Sequence, residues 1–131
     1  MAFDPSFDPA AVGPVLVVED EAMIAFEAED ILNDLGLAEV TICSSYERAE
    51  RAIEEEDYRL GIFDMNLNGQ MSTPLIAAFK AKGGAALLAT GYDLTPETLE
   101  GLGVVEVRKP YTPDTLGRAI ADALEGKAVE R

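Results

Sequence analysis

The sequence predicts an open α/β fold: a doubly wound, five-stranded parallel sheet with helices on both faces. Two observations carry this. Short, wholly apolar runs such as V-L-V-V recur along the 131 residues, as in strands buried on both faces. Between them lie stretches with helical spacing and recognisable start or stop signals. Parallel strands joined in this way require right-handed crossovers.

Residues 1–13 hold Phe3-Asp4-Pro5 and Phe7-Asp8-Pro9. Prolines this dense disfavour helix and strand, so the segment reads as a flexible tail whose phenylalanines either dock a partner or fold back on the domain. The domain spans 14–126, and 127–131 is a C-terminal tail. The first strand starts at Val15. After Glu19-Asp20, a helix places Ile24, Ile31, Leu32 and Leu35 on one face and stops at Gly36. A-E-V-T-I-C is the second strand, and Ser44-Ser45-Tyr46-Glu47 has the form of a capping box opening a helix to about Glu55.

R-L-G-I-F-D is the third strand, followed by a loop rich in Gly and Asn. Thr73-Pro74 opens a helix to about Lys82, with threonine as cap. A-A-L-L-A-T is the fourth strand, and T-P-E-T-L-E-G a short helix. V-V-E-V is the fifth strand, ended by Lys109-Pro110. Thr112-Pro113-Asp114 opens the last helix, which stops near Gly126.

Composition narrows the chemistry. Histidine is absent, which removes Ser-His-Asp and Cys-His catalysis and histidine metal sites. One cysteine, Cys43, allows no intrachain disulfide. A net charge of −15 disfavours nucleic acid and anionic lipid but suits a divalent cation. No run reaches the ~18 apolar residues of a membrane span, so a cytoplasmic protein with no membrane contact is expected.

Ligands of open α/β sheets sit outside the carboxyl ends of the strands, where strand order reverses. Those ends carry Glu19-Asp20, Asp64, Thr90-Gly91 and Arg108-Lys109-Pro110. If the strand order is 2-1-3-4-5, Glu19, Asp20 and Asp64 share one crevice. Their mutual repulsion calls for a hard cation such as magnesium, or for the Lys109 ammonium. Taken singly, each residue has a plainer reading: Asp20 as a helix cap, Thr90 as a strand former, Lys109-Pro110 as a turn. Together they are the parts that phosphoryl transfer to a carboxylate needs, with Asp64 as nucleophile.

V-L-V-V-E-D-E, I-F-D-M-N-L-N-G, L-A-T-G-Y and R-K-P-Y occur in the order and approximate spacing of response-regulator receiver domains, which the chain resembles over about residues 14–126. The resemblance implies a CheY-like fold with strand order 2-1-3-4-5. It implies Asp64 as phosphoacceptor, magnesium held by Glu19, Asp20, Asp64 and the Asn66 carbonyl, Thr90 as switch hydroxyl, Lys109 against the phosphoryl group, and a cis Lys109-Pro110 peptide. The donor would be a sensor histidine kinase or a histidine phosphotransfer protein, and the output a further protein partner. The chain would be a monomeric signalling domain, with only self-catalysed phosphorylation and dephosphorylation.

The sequence departs from the family at three points. Glu106 stands where a switch tyrosine or phenylalanine is usual. Asn68 replaces a common proline four residues after the acceptor. L-A-T-G-Y resembles the F-A-T-G-Y signature of a single-domain branch, the FAT GUY family, with Leu88 for phenylalanine. In that branch Tyr92 is a candidate to replace the missing ring; otherwise it is an exposed loop aromatic. Two other readings are a receiver-shaped interaction module that is never phosphorylated and a haloacid-dehalogenase-like phosphatase. The phosphatase would want a second aspartate where Asn66 stands.

Overall fold

The structure is a computed structural model that describes residues 7–91 and 103–126. The strands are β1 (Val15–Val18), β2 (Val40–Cys43), β3 (Leu60–Asp64), β4 (Asn66–Leu67), β5 (Gln70–Met71), β6 (Ala85–Thr90) and β7 (Val105–Arg108). The helices are α1 (Pro9–Val12), α2 (Ala22–Asp34), α3 (Tyr46–Glu55), α4 (Thr73–Ala81) and α5 (Pro113–Leu124). Tyr92, the short helix expected from Thr95 and the C-terminal tail lie outside the described residues. No helix among the described residues is long and apolar enough to cross a membrane.

Five strands form one parallel sheet in the order β2-β1-β3-β6-β7. This is the expected doubly wound order, with the second strand outermost and the first and third adjacent. Alternation along the strands divides the core in two. Val15, Val17, Ile62, Leu87 and Val107 face α2 and α5. Leu16, Val18, Phe63 and Leu88 face α3 and α4. On that second side Phe63 and Phe79 meet edge to face, with ring centroids 5.2 Å apart. Gly61 and Gly84 leave room for the Phe79 ring, which a Cβ at either position would strike.

Local signals explain most boundaries. Leu37 N–H reaches Leu32 carbonyl and Gly36 N–H reaches Asn33 carbonyl, closing α2 in a Schellman arrangement with Gly36 at φ 96°. Thr112 and Thr115 cap α5 reciprocally. Two caps fall one residue from their expected positions. Ser45, not Ser44, accepts from Arg48 N–H at the start of α3, so the Ser44–Glu47 box does not form. The cap residue of α4 is Ser72, and Thr73 is its first helical residue.

Residues 7–13 are the described part of the expected tail. There, Asp8 accepts from Ala10 N–H, Pro9 takes the first helical position, and α1 forms a single turn. Val12 is 3% exposed and Phe7 packs on the α2–α5 core. Asp8-Pro9 is a helix-start signal, and proline breaks a helix only when it lies inside one.

Candidate functional site

The sheet delivers the polar residues to one edge. Glu19 and Asp20 directly follow β1, Asp64 ends β3, Thr90 ends β6 and Lys109 follows β7. Oxygen atoms of Glu19, Asp20 and Asp64 all lie within 4.8 Å of one another. Lys109 Nζ stands 3.3 Å from Glu19 Oε1 and 3.3 Å from Asp64 Oδ1. The surrounding cleft holds about 700 Å³ and is walled by Ile24, Met65, Asn66 and Met71 as well as by Asp20, Asp64, Thr90 and Lys109.

Each side chain is held. Glu19 is 2% exposed; its carboxylate accepts from Glu21 N–H at 3.2 Å as well as from Lys109. Asp20 accepts from Asn68 N–H at 2.9 Å. Lys109 N–H donates to the Thr90 carbonyl at 2.8 Å, tying the ends of β6 and β7 together. The Lys109-Pro110 peptide is cis.

The electrostatics follow from burial and crowding. Burial, and then the Asp64 charge, push the Glu19 carboxyl up to about 7, against the opposing pull of Glu21 N–H and Lys109. Burial depresses the Lys109 ammonium, but Asp64 and Glu19 outweigh it and hold its pKa above the ordinary lysine value. Tyr111, also buried, is raised by desolvation and by the charges of Glu19, Asp64 and Glu27. Tyr111 closes the R-K-P-Y motif, but the residue pattern gives it no place in the site.

Two features of the site differ from a simple convergence of strand ends. The loop after Asp64 is a hairpin: β4 pairs antiparallel with β5 around Asn68-Gly69, both at positive φ (52° and 88°). Asn-Gly is the favoured pair for such a two-residue turn. The Asn66 side chain accepts from Gly69 N–H at 2.7 Å within the same turn. Secondly, Thr90 lines the cleft, but its hydroxyl donates to Glu106 Oε2 at 2.7 Å.

The donor set suits a hard divalent cation. It is all oxygen, lacks the nitrogen and sulfur ligands of zinc, and carries more negative charge than one lysine balances. With a lysine beside Asp64 and a threonine at the cleft wall, the site can bind a cation and a tetrahedral anion side by side.

Neither a family model nor a curated protein sequence matches the chain. Solved structures do. SdrG from Sphingomonas melonis Fr1 is 30% identical with a TM-score of 0.75, covering 88% of this chain and 98% of its own. A CheY-like response regulator receiver domain protein from Methanospirillum hungatei JF-1 is 27% identical, also at 0.75, covering 87% and 94%. A CheY-like receiver domain from Methylobacillus flagellatus shares the fold at 23% identity and a TM-score of 0.75, covering 86% and 98%. The structural neighbours of this chain are CheY-like response-regulator receiver domains.

Proposed function

We propose that the chain is a phosphoacceptor receiver, modified on Asp64, that signals by changing its affinity for a protein partner. The observation that carries this reading is the position of Asp64: a strand-end carboxylate facing an open cleft, 3.3 Å from Lys109 and within 4.8 Å of two further carboxylates. The neighbouring receiver structures support it.

In this mechanism an Asp64 carboxylate oxygen attacks phosphorus as the bond from phosphorus to the donor's imidazole nitrogen breaks. The bonding pair stays on nitrogen, and Asp64 becomes an acyl phosphate. The 131 residues contain no histidine, so the donor imidazole lies outside them, on a histidine kinase or phosphotransfer protein. Glu19, Asp20, Asp64 and the Asn66 carbonyl would hold magnesium, which supplies charge neutralisation for the transferred oxygens. Lys109 balances the remaining charge and steers the phosphoryl group. Thr90 stands at the cleft wall, and its hydroxyl must leave Glu106 before it can donate to the phosphoryl group.

Phosphorylation adds roughly one to two negative charges beside this cluster. Moving a mostly-off population to mostly-on takes differential stabilisation of about 5 kcal/mol, more than one hydroxyl contact supplies. Lys109, the cation and repacking beyond Thr90 must contribute. L-A-T-G-Y assigns the chain to the FAT GUY branch in this reading, with Tyr92 as reporter.

The test is magnesium-dependent labelling by acetyl phosphate, comparing wild type with Asp64→Asn. Stoichiometric label on wild type and none on the variant supports the reading. Equal labelling of both reassigns the acceptor, and rapid turnover to free phosphate replaces the receiver reading with a phosphatase.

A further inference from the structure

Glu106 stands where receiver domains usually carry a switch tyrosine or phenylalanine, and its carboxylate has a defined partner. The register of β6 with β7 pairs Leu88 with Glu106 and Thr90 with Arg108. Glu106 is therefore diagonal to Thr90 on the same face of the sheet, within reach of a long side chain. The Thr90 hydroxyl lies 2.7 Å from Glu106 Oε2, and Thr90 is 3% exposed.

We infer that Glu106 is a positioning residue that holds the Thr90 hydroxyl away from the cleft and releases it only when an anion on Asp64 competes for the same proton. This inference rests on Asp64 being the phosphoacceptor. The chemistry of the pair carries it. An ionised carboxylate only accepts, so in this pair the single hydroxyl proton is committed to Glu106. A phosphoryl oxygen beside Asp64 also only accepts. Thr90 cannot donate to both, and engaging the anion requires breaking a charge-assisted hydrogen bond.

The main chain of Thr90 has little freedom to follow its side chain, because its carbonyl accepts from Lys109 N–H at 2.8 Å and its strand is paired on both sides. Rotation of the side chain is the economical movement. It would leave Glu106 without this donor, half-buried on the face that α3 and α4 pack against. The sheet thus reports an anion at Asp64 as a carboxylate losing its hydrogen bond, where an aromatic ring would instead change its packing.

A double-mutant cycle tests the latch, reading the affinity of the magnesium-loaded protein for beryllofluoride by calorimetry. Glu106→Ala should tighten binding about tenfold in the wild-type background, and Glu106→Gln, a weaker neutral acceptor, by a smaller factor. In a Thr90→Val background Glu106→Ala should change affinity by less than about twofold, because no hydroxyl is left to release. Equal gains in both backgrounds would mean that Glu106 merely repels the anion, and no gain in either would mean that it does not restrain Thr90. Either result overturns the latch while leaving the acceptor intact. Failure of the wild type to bind beryllofluoride, or undiminished binding by Asp64→Asn, would overturn the acceptor and the latch together. Thermal melting of each variant separates these outcomes from unfolding.

Discussion

The main-chain N–H of Asn68 donates to Asp20 Oδ2 at 2.9 Å, joining the hairpin after β3 to the carboxylate that follows β1. Asn68 sits at φ 52°, in the left-handed region. A proline there, as many receivers have, could neither adopt that angle nor supply the N–H.

Replacing Asn68 by proline should therefore destabilise the fold by more than about 1 kcal/mol and weaken magnesium binding. Asn68→Gly, which keeps the N–H and tolerates the angle, should cost less than about 1 kcal/mol. Denaturant melts with calorimetric magnesium titration check both. Equal behaviour of the two variants would deny the turn its role.

The raised pKa of Glu19 should make magnesium binding depend on pH. Metal-free Glu19 retains its proton up to about pH 7, and a cation held by that carboxylate displaces it. Apparent affinity should climb up to tenfold per pH unit below about 7 and level off above. Glu19→Gln should bind more weakly, with a flatter profile. The same shift fixes the stability trend of the metal-free protein. The Glu19 contribution is most favourable below the ordinary value of 4.5 and is lost as pH rises through about 7, so added magnesium should stabilise most at neutral and higher pH.

Gly61 lies in a strand, where alanine ordinarily gains stability by restricting the unfolded chain. Here an added Cβ would come 2.7 Å from Phe63 Cε1 and 3.0 Å from Phe79 Cζ. Steric conflict should dominate, with Gly61→Ala costing about 1–3 kcal/mol. In a Phe79→Leu background the added cost should shrink, a non-additivity that chemical denaturation can measure.

Val12 distinguishes a docked turn from a loose tail. Its burial at 3% predicts that Val12→Ala lowers stability by about 1–2 kcal/mol in urea melts, whereas a mobile segment would show no change.

The strands and their polar ends were legible in the sequence because burial on both faces leaves unbroken apolar runs. V-L-V-V and L-G-I-F-D stop where side chains reach the cleft. Doubly wound topology then places Glu19, Asp20, Asp64 and Lys109 together with no further information. The hairpin at Asn68-Gly69 carried its own signal, an Asn-Gly pair, but strands of two residues are too short to show periodicity. The turn at Pro9 was obscured because dense proline resembles a linker. The Thr90–Glu106 hydrogen bond was not legible. Residue spacing fixes which positions are neighbours across a sheet, but the direction in which a hydroxyl donates depends on side-chain rotation. The burial of Tyr111 beside the acidic cluster likewise depends on tertiary packing.

Locating the phosphoryl group decides whether Asp64 is the acceptor. After reaction with acetyl phosphate and magnesium, borohydride reduction converts an acyl phosphate of aspartate to homoserine, and peptide mass spectrometry reads its position. Homoserine at residue 64 alone is the expected result. Homoserine at position 20 instead, or a borohydride-resistant phosphate on a hydroxyl such as that of Thr90, would rule out Asp64 as the acceptor.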